Sequence, residues 1–502
     1  MQKMLKRILT SRVYEAAVET PLEEAPGLSR ALNNRILLKR EDLQPIFSFK
    51  LRGAYNKVAH LSAEELDRGV MAASAGNHAQ GVAYAARQLG VRAVIVMPVT
   101  TPAIKISAVK ALGAEVVLHG DNYSEAAARC QELVEQTGMT FVHPFDDELV
   151  IAGQGTVADE ILRQNSGRLD AVFVPIGGGG LISGIAAYFK ALRPEVRIIG
   201  VEPVDSDAMA RSLELGHRVV LDYVGIFADG VAVREVGKLT FDYCRKYVDE
   251  VIRVDTDELC SAIKSTYEAT RSIAEPAGAL ALAGLKKYIR QEKITGQTLV
   301  AINSGANMNF ERLRYVAERT QVGEKQEALF AVTIPERPGA LKHFCGELVG
   351  GRNITEFNYR LSSRQAAHIF VGLSIKDEAE RAAFSRQLAD KGYENLDLTD
   401  NDLAKTHIRY MVGGRSAEAG QEVLYRFWFP ERPGALSRFL TSMGANWNIS
   451  LFHYRLQGGD FGRVLIGLEI PPGDQAEFQR FLDSLGYRFK EETDNPAYQL
   501  FL

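Results

Sequence analysis

The 502-residue chain is short of cysteine, of charge of one sign and of long apolar runs, and each shortage removes a class of function. Its four cysteines, Cys130, Cys244, Cys260 and Cys345, stand far apart and form no C-x-x-C pair. That spacing argues against a thiol metal site, and a chain of this size needs no disulfide scaffold. No metal is expected, and reduced thiols in the cytoplasm are. With 59 basic and 63 acidic residues interspersed, the net charge of -4 points to neither nucleic acid nor membrane. No window reaches the roughly 18 apolar residues of a membrane span. The basic opening Met1-Gln2-Lys3-Met4-Leu5-Lys6-Arg7 is followed by no apolar core, and Glu15, Glu19, Glu23 and Glu24 come soon after, so no leader is expected.

The length suggests two to four domains. From about residue 35 to 310, short apolar runs alternate with amphipathic helical stretches. Arg92–Pro98, Ala114–Leu118, Ala171–Ile176, Val196–Val201 and Thr298–Ile302 read as buried strands. Strands apolar on both faces and separated by helices imply parallel sheet covered on each side, an α/β fold. After Asn77 a helix is predicted, with Val82, Ala85, Ala86 and Leu89 on one stripe and Gly90 as its C-terminal cap.

Beyond the polar stretch Gly323-Glu324-Lys325-Gln326-Glu327 lies an internal repeat. Pro335-Glu336-Arg337-Pro338-Gly339-Ala340-Leu341 returns as Pro430-Glu431-Arg432-Pro433-Gly434-Ala435-Leu436, an offset of 95 residues. The same offset carries Asn353-Ile354 to Asn448-Ile449, Tyr359-Arg360-Leu361 to Tyr454-Arg455-Leu456 and Gly372-Leu373 to Gly467-Leu468. Duplication accounts for this. Each copy reads as a ferredoxin-like βαββαβ unit, with helices predicted over Ala340–Leu348 and Glu378–Lys391 in the first. The expected division is 1–320, 327–398 and 421–493.

Three loops and a fourth element at a strand end carry the chemistry. In Ser48-Phe49-Lys50-Leu51-Arg52-Gly53-Ala54-Tyr55, the positions Leu51, Ala54, Tyr55 and Val58 line one helix face, so Lys50 falls in the first turn with Ser48 as N-cap. The positive end of a helix and burial both lower a lysine pKa, and a neutral amine can attack an aldehyde or take a proton from carbon. A solvated surface lysine is the plainer alternative. Gly177-Gly178-Gly179-Gly180-Leu181 follows a strand and opens a helix, so its N–H groups can converge on an anion. G-x-G-x-x-G fails there, because Ile182 or Ser183 fills the last position, although Glu202 stands roughly where a ribose-binding acid would. Ser74-Ala75-Gly76-Asn77-His78 opens another helix: its N–H groups could hold a substrate carboxylate and the Asn77 amide could donate to a phenolate. A capping turn with a structural histidine is the alternative. Ser304, in Asn303-Ser304-Gly305-Ala306-Asn307, ends a strand where α/β ligands bind, and its hydroxyl can face a pyridine nitrogen without protonating it. That arrangement suits β-elimination better than transamination. An imine-forming amine, an asparagine turn and a phosphate nest together fit pyridoxal phosphate.

These segments, with Ala274-Glu275-Pro276-Ala277-Gly278-Ala279, resemble the fold-type II pyridoxal-phosphate enzymes of the tryptophan-synthase β-like group. The paired tail with its PERPGAL and NYRL/HYRL segments resembles the ACT-like regulatory domains of the biosynthetic threonine deaminases. The resemblance implies deamination of L-threonine to 2-oxobutanoate and ammonia, the entry step to isoleucine. It implies that Lys50 bears pyridoxal 5′-phosphate, Asn77 meets its 3′-oxygen, Gly177 to Leu181 hold its phosphate and Ser304 its ring nitrogen. Glu275 is a supporting candidate, or only a helix-end acid. It further implies inhibition by isoleucine opposed by valine, and a homotetramer. Tyr359 and Tyr454, at equivalent repeat positions, are the candidate effector contacts; packing aromatics are the alternative. Two other functions stay open: elimination or replacement on serine or cysteine derivatives, and a non-catalytic amino-acid sensor.

Overall fold

The structure, a computed structural model, describes residues 2–225, 227–310, 312–323, 327–361, 365–401, 404, 408, 416, 419, 422–430, 435–443, 447–455 and 461–495. Glu324, Lys325 and Gln326 of the expected boundary, Gln421, the second-repeat loop Glu431, Arg432, Pro433 and Gly434, and Leu456 lie outside these. The chain divides into two compact units, 1–323 and 324–502.

In the first unit the strand Thr298–Asn303 lies between Arg35–Arg40 and Ala171–Pro175, and Arg197–Pro203 and Glu250–Val254 continue the sheet, all parallel. Leu22–Glu24 adds an antiparallel edge. The expected two-faced burial is visible along Ala171–Pro175. Val172 and Val174 pack with Ile182 and Ile185, while Ala171 and Phe173 pack with Leu280 and Leu282. Fully burying a side chain of this kind stabilises by about 1.5–3 kcal/mol.

A second parallel sheet runs Glu115–Leu118, Ala93–Met97, Val70–Ala73, Thr140–Phe141. Here one expectation is corrected: the strand read over Ala114–Leu118 is not buried on both faces. It is the sheet's edge, with Glu115 and Leu118 exposed. An edge strand has one neighbour, and its apolar run shows β-propensity more than burial.

The helix Lys50–Ala59 packs against the helices Asn77–Leu89 and Glu148–Gln164, and the latter against Gly180–Leu192. These crossings are close enough to need glycine. A Cβ on Gly153 would lie 2.6 Å from the Arg52 carbonyl oxygen, and one on Gly184 would lie 2.5 Å from that of Ile151.

The second unit is one antiparallel sheet built from both repeats. The first repeat supplies Glu327–Pro335, Ile354–Arg360, Ala366–Ser374 and Asn395–Asp397, and the second Glu422–Pro430, Asn448–Arg455, Phe461–Glu469 and Arg488–Glu491. The copies join where Ile354–Arg360 pairs with Asn448–Arg455, Phe357 opposite Tyr454 and Tyr359 opposite Phe452. Given the 95-residue offset, those pairs are each other's images about a local two-fold axis passing between Asn358 and His453. The Arg360 guanidinium crosses from one copy to the Glu422 carboxylate of the other. The helix predicted over Ala340–Leu348 is present, α-helical over Ala340–His343 and widening into a π-helix over Phe344–Val349.

Candidate active site

Lys50 opens the helix Lys50–Ala59, and Leu51, Ala54, Tyr55 and Val58 are buried as the stripe predicts. The Ser48 cap is corrected: Phe49 holds the N-cap position. Ser48 is drawn instead into a backbone bridge with Gly305, and its hydroxyl only accepts a 3.4 Å bond from the Lys50 N–H. The bridge, with the Phe49 N–H donating to the Ser304 carbonyl at 3.2 Å, ties the lysine's helix to the Ser304 loop.

The Lys50 amine donates to the Pro144 carbonyl at 3.0 Å, and no carboxylate pairs with it among the described residues. Burial pulls its pKa down to about 8, the charge of Glu275 acting the other way. A substantial fraction of the amine is therefore neutral near physiological pH.

Arg52, on the same helix, has no exposed surface. It donates to Glu41 at 2.7 Å and to Glu160 at 2.6 Å, and Glu160 also accepts from Lys39 at 2.6 Å. Burial works against the Arg52 charge, and Glu41 and Glu160 overcome it, so its pKa lies above the ordinary value. Two cations and two anions leave this cluster neutral, and it anchors the turn that presents Lys50. Nothing in the spacing set Arg52 apart from a surface arginine.

The glycine run follows the strand Ala171–Pro175 and opens the helix Gly180–Leu192. Gly179 has φ +93°, and a Cβ on Gly178 would fall 2.1 Å from the Phe145 ring. The loop is braced from below: Thr240 Oγ1 donates to the Gly178 carbonyl at 2.6 Å, and Asp146 accepts from the Thr240 N–H at 3.1 Å. Leu181 is buried in the first turn. The first N–H groups of that helix have no partner within it and form an anion cradle. Glu202 is not available to a ribose: it accepts from the N–H groups of Met209 and Ala210 at 3.0 and 2.8 Å.

Asn77 begins the helix Asn77–Leu89, whose C-terminal cap is Gly90 at φ 68°, as predicted. Ser74 Oγ accepts from the Gly76 N–H at 3.2 Å, and Ala75 and Gly76 lead into the helix. His78 is buried with Nε2 on the Val142 carbonyl at 2.8 Å; burial pushes its pKa down to about 3, so it is neutral. The Asn77 amide touches Glu275 and Asn307. Burial, reinforced by Asp229, pushes the Glu275 carboxyl up to about 7. Ser304 Oγ donates to the Ala277 carbonyl at 3.1 Å. Beside it both amide atoms of Asn303 are buried without a partner among the described residues, an orphaned polar group of the kind a ligand or water completes.

The three loops thus come together as expected, and the residues fit a phosphorylated pyridine aldehyde: a part-neutral amine, an anion cradle that only glycine can line, and a hydroxyl at a strand end. Pro144, Phe145, Asp146 and Thr240 were missed by sequence reading, and no local pattern marks them.

Such a site defines an enzyme that works with pyridoxal phosphate. The chain belongs to that family: residues 13–305 match the model for pyridoxal-phosphate dependent enzymes, and 318–408 and 413–502 each match the C-terminal regulatory domain of threonine dehydratase. It is 60% identical over 501 residues to the biosynthetic L-threonine dehydratase of Burkholderia multivorans, covering 99% of both chains. It is 52% identical over 500 residues to that of Escherichia coli, covering 99% of this chain and 96% of that one. Among solved structures it is similar to the processed form of threonine deaminase isoform 2 from Solanum lycopersicum. That match has a TM-score of 0.62 and 51% identity over 63% of this chain and 92% of the other.

Of the candidate effector residues, Tyr359 lines a small, partly open pocket in the second unit, with Ile334, Glu336, Arg337, Met443 and Trp447. Its hydroxyl donates to Glu336 at 2.5 Å, and burial together with Glu336 raises its pKa. Tyr454 is buried opposite Phe357. Among the described residues no helix is long and apolar enough to cross a membrane, and no acidic, histidine or cysteine cluster could hold a metal.

Proposed function

We propose that this chain converts L-threonine to 2-oxobutanoate and ammonia by eliminating water, as the first step toward isoleucine. The observation that carries the reading is Lys50: a half-buried amine with its pKa near 8, bonded to a single backbone carbonyl, beside three ligand-ready loops. When bound, pyridoxal phosphate would supply an aldehyde for the amino group and a ring that accepts electron density. Lys50 Nζ would hold the cofactor, and its amine would take the proton from the substrate α-carbon. The N–H groups of Gly177 to Leu181 would hold the phosphate, Asn77 would donate to the 3′-oxygen and Ser304 Oγ would meet the ring nitrogen. The turn from Ser74 to His78 takes the substrate carboxylate through its backbone N–H groups; the His78 ring, neutral and engaged, adds no charge.

The second unit reads amino acids: isoleucine inhibits and valine opposes it. The Tyr359 cavity supports this, because Glu336 and Arg337 offer opposite charges to a zwitterion and Ile334 and Met443 offer apolar wall. Tyr454 is its counterpart in the second repeat. The protein assembles in the cytoplasm as a homotetramer, which sedimentation should register near four times 55.3 kDa.

Borohydride reduction of the holoenzyme followed by peptide mapping should place the cofactor on Lys50; a label on another lysine refutes the assignment. Keto-acid release should favour threonine over serine and fall on adding isoleucine. Equal or faster serine turnover would transfer the chain to a different substrate.

A further inference from the structure

The Asn77 side chain is held at both ends. Its Oδ1 accepts from Asn307 Nδ2 at 2.7 Å, and its Nδ2 donates to Glu275 Oε1 at 2.6 Å. An asparagine amide alone could sit either way round, since its oxygen and nitrogen are alike in size. Here the partners fix the choice. Asn307 Nδ2 also donates to the Ile46 carbonyl, 2.9 Å away, an oxygen that can only accept. Both hydrogens of that nitrogen are therefore spent, and the Asn77 atom beside it must be the oxygen. The Asn77 nitrogen then faces Glu275 and commits one hydrogen there. One amide hydrogen remains, and no other partner for it occurs among the described residues.

Glu275 is built into place for this. It stands at the N-cap of the helix Pro276–Glu292 without capping it through its side chain, and its N–H donates to the Gly305 carbonyl at 3.1 Å. A Cβ on Gly305 would fall 2.5 Å from Glu275 Oε1, so glycine at that position is what admits the carboxylate. The segment Ser304-Gly305-Ala306-Asn307 thus supplies both the opening for Glu275 and the donor that holds the Asn77 oxygen. Charged groups surround the carboxylate: Asp229 on the turn Asp229–Val231, Lys105 paired with Asp229 at 2.6 Å, and the Lys50 amine.

We propose that Glu275 and Asn307 are positioning residues that lock the Asn77 amide with its one uncommitted N–H presented to the cofactor's 3′-oxygen. This rests on the reading that Asn77 meets that oxygen. A phenolate only accepts hydrogen bonds, so an amide turned about would set oxygen against oxygen. The lock guarantees a donor, which stabilises the phenolate and sets the colour of the bound chromophore.

The test uses full-length variants, with cofactor dissociation constant and absorption spectrum as readouts alongside kcat and KM. Glu275→Met, which removes the acceptor at similar size, should weaken pyridoxal-phosphate binding about tenfold and move the visible band. Glu275→Gln keeps a carbonyl acceptor and should restore most of both. Asn307→Leu frees the other end and should act like Glu275→Met, which covers the case of one variant failing to fold. Adding Glu275→Met to Asn77→Ala should cost no further affinity, because the residues act through one amide. Unchanged binding and colour in Glu275→Met and Asn307→Leu overturn the lock, as does equal damage from Gln and Met at position 275, which would assign charge instead of orientation. If Asn77→Ala itself changes neither quantity, the reading of Asn77 fails whatever the other variants do.

Discussion

Lys39 and Lys50 belong to the same stretch of chain and have opposite fates. Lys39 is fully buried and rests on Glu160 inside a neutral cluster with Arg52 and Glu41. Lys50 reaches a lone backbone carbonyl and stays poised to lose its proton. The second unit repeats the contrast on two adjacent residues of one strand. The Arg360 guanidinium is spent on Glu422, while Tyr359 lines the cavity with Glu336. Lys39, Arg52 and Arg360 are each matched by a carboxylate, whereas the Lys50 amine has a backbone carbonyl alone.

Substitution of Lys50 and of Arg52, two cations in the first turn of one helix, gives the sharpest division. Lys50→Ala should cut ammonia production from threonine by at least about 10³-fold, removing the proposed cofactor bearer and base, while the thermal midpoint of the cofactor-free protein at neutral pH does not fall. Arg52→Leu should do the reverse first: it leaves Glu41 buried without its cation and Glu160 with Lys39 alone, costing about 3–5 kcal/mol in a denaturant titration. A Lys50→Ala protein that keeps its turnover, or an Arg52→Leu protein as stable as the parent, would erase the contrast.

Acidity gives the next largest effects, with opposite signs. The Lys50 pKa is depressed, so the fold prefers the neutral amine; its stabilising contribution is present above about 10.5 and lost as pH falls through about 8. Trapping of an aldehyde on Lys50 in the cofactor-free protein should accordingly rise to half its plateau near pH 8. The Glu275 pKa is raised, so the fold prefers the protonated acid; its contribution is present below about 4.5 and lost as pH rises through about 7. The parent should therefore lose up to about 3 kcal/mol relative to Glu275→Gln between pH 4.5 and 7.5, measured by urea unfolding. The smallest change is expected in the second unit. Tyr359→Phe should weaken isoleucine inhibition roughly tenfold, about 1.4 kcal/mol, with uninhibited activity intact.

What could be read from the sequence was local. Gly90 as a left-handed cap, the two-faced run at Ala171, the lysine in a first turn and the duplicated tail each depend on a few neighbouring residues, and each appears in the fold. The pairing of Asn77 with Glu275 and Asn307 joins three distant segments of chain, and Arg52 meets Glu160 across another such gap. No periodicity encodes those meetings. Ser48 failed as a cap for the same reason: a distant partner, Gly305, claimed its backbone. The edge position of Glu115–Leu118 was likewise hidden, because the order of strands in a sheet is decided by packing between helices.

The strands that join the two copies in the second unit meet as two identical subunits would across an interface. Identical subunits must change together, since one gene writes both faces. Covalent linkage lifts that obligation and also spares the halves any search for each other. Drift has followed. Where the first copy has Arg352, tied to Glu380 and lying over Phe384, the second has Trp447, wedged against Phe478 and Phe481. A tethered pair of twins can thus grow unlike while remaining one sheet, and a single polypeptide holds two different packings of one repeated pattern.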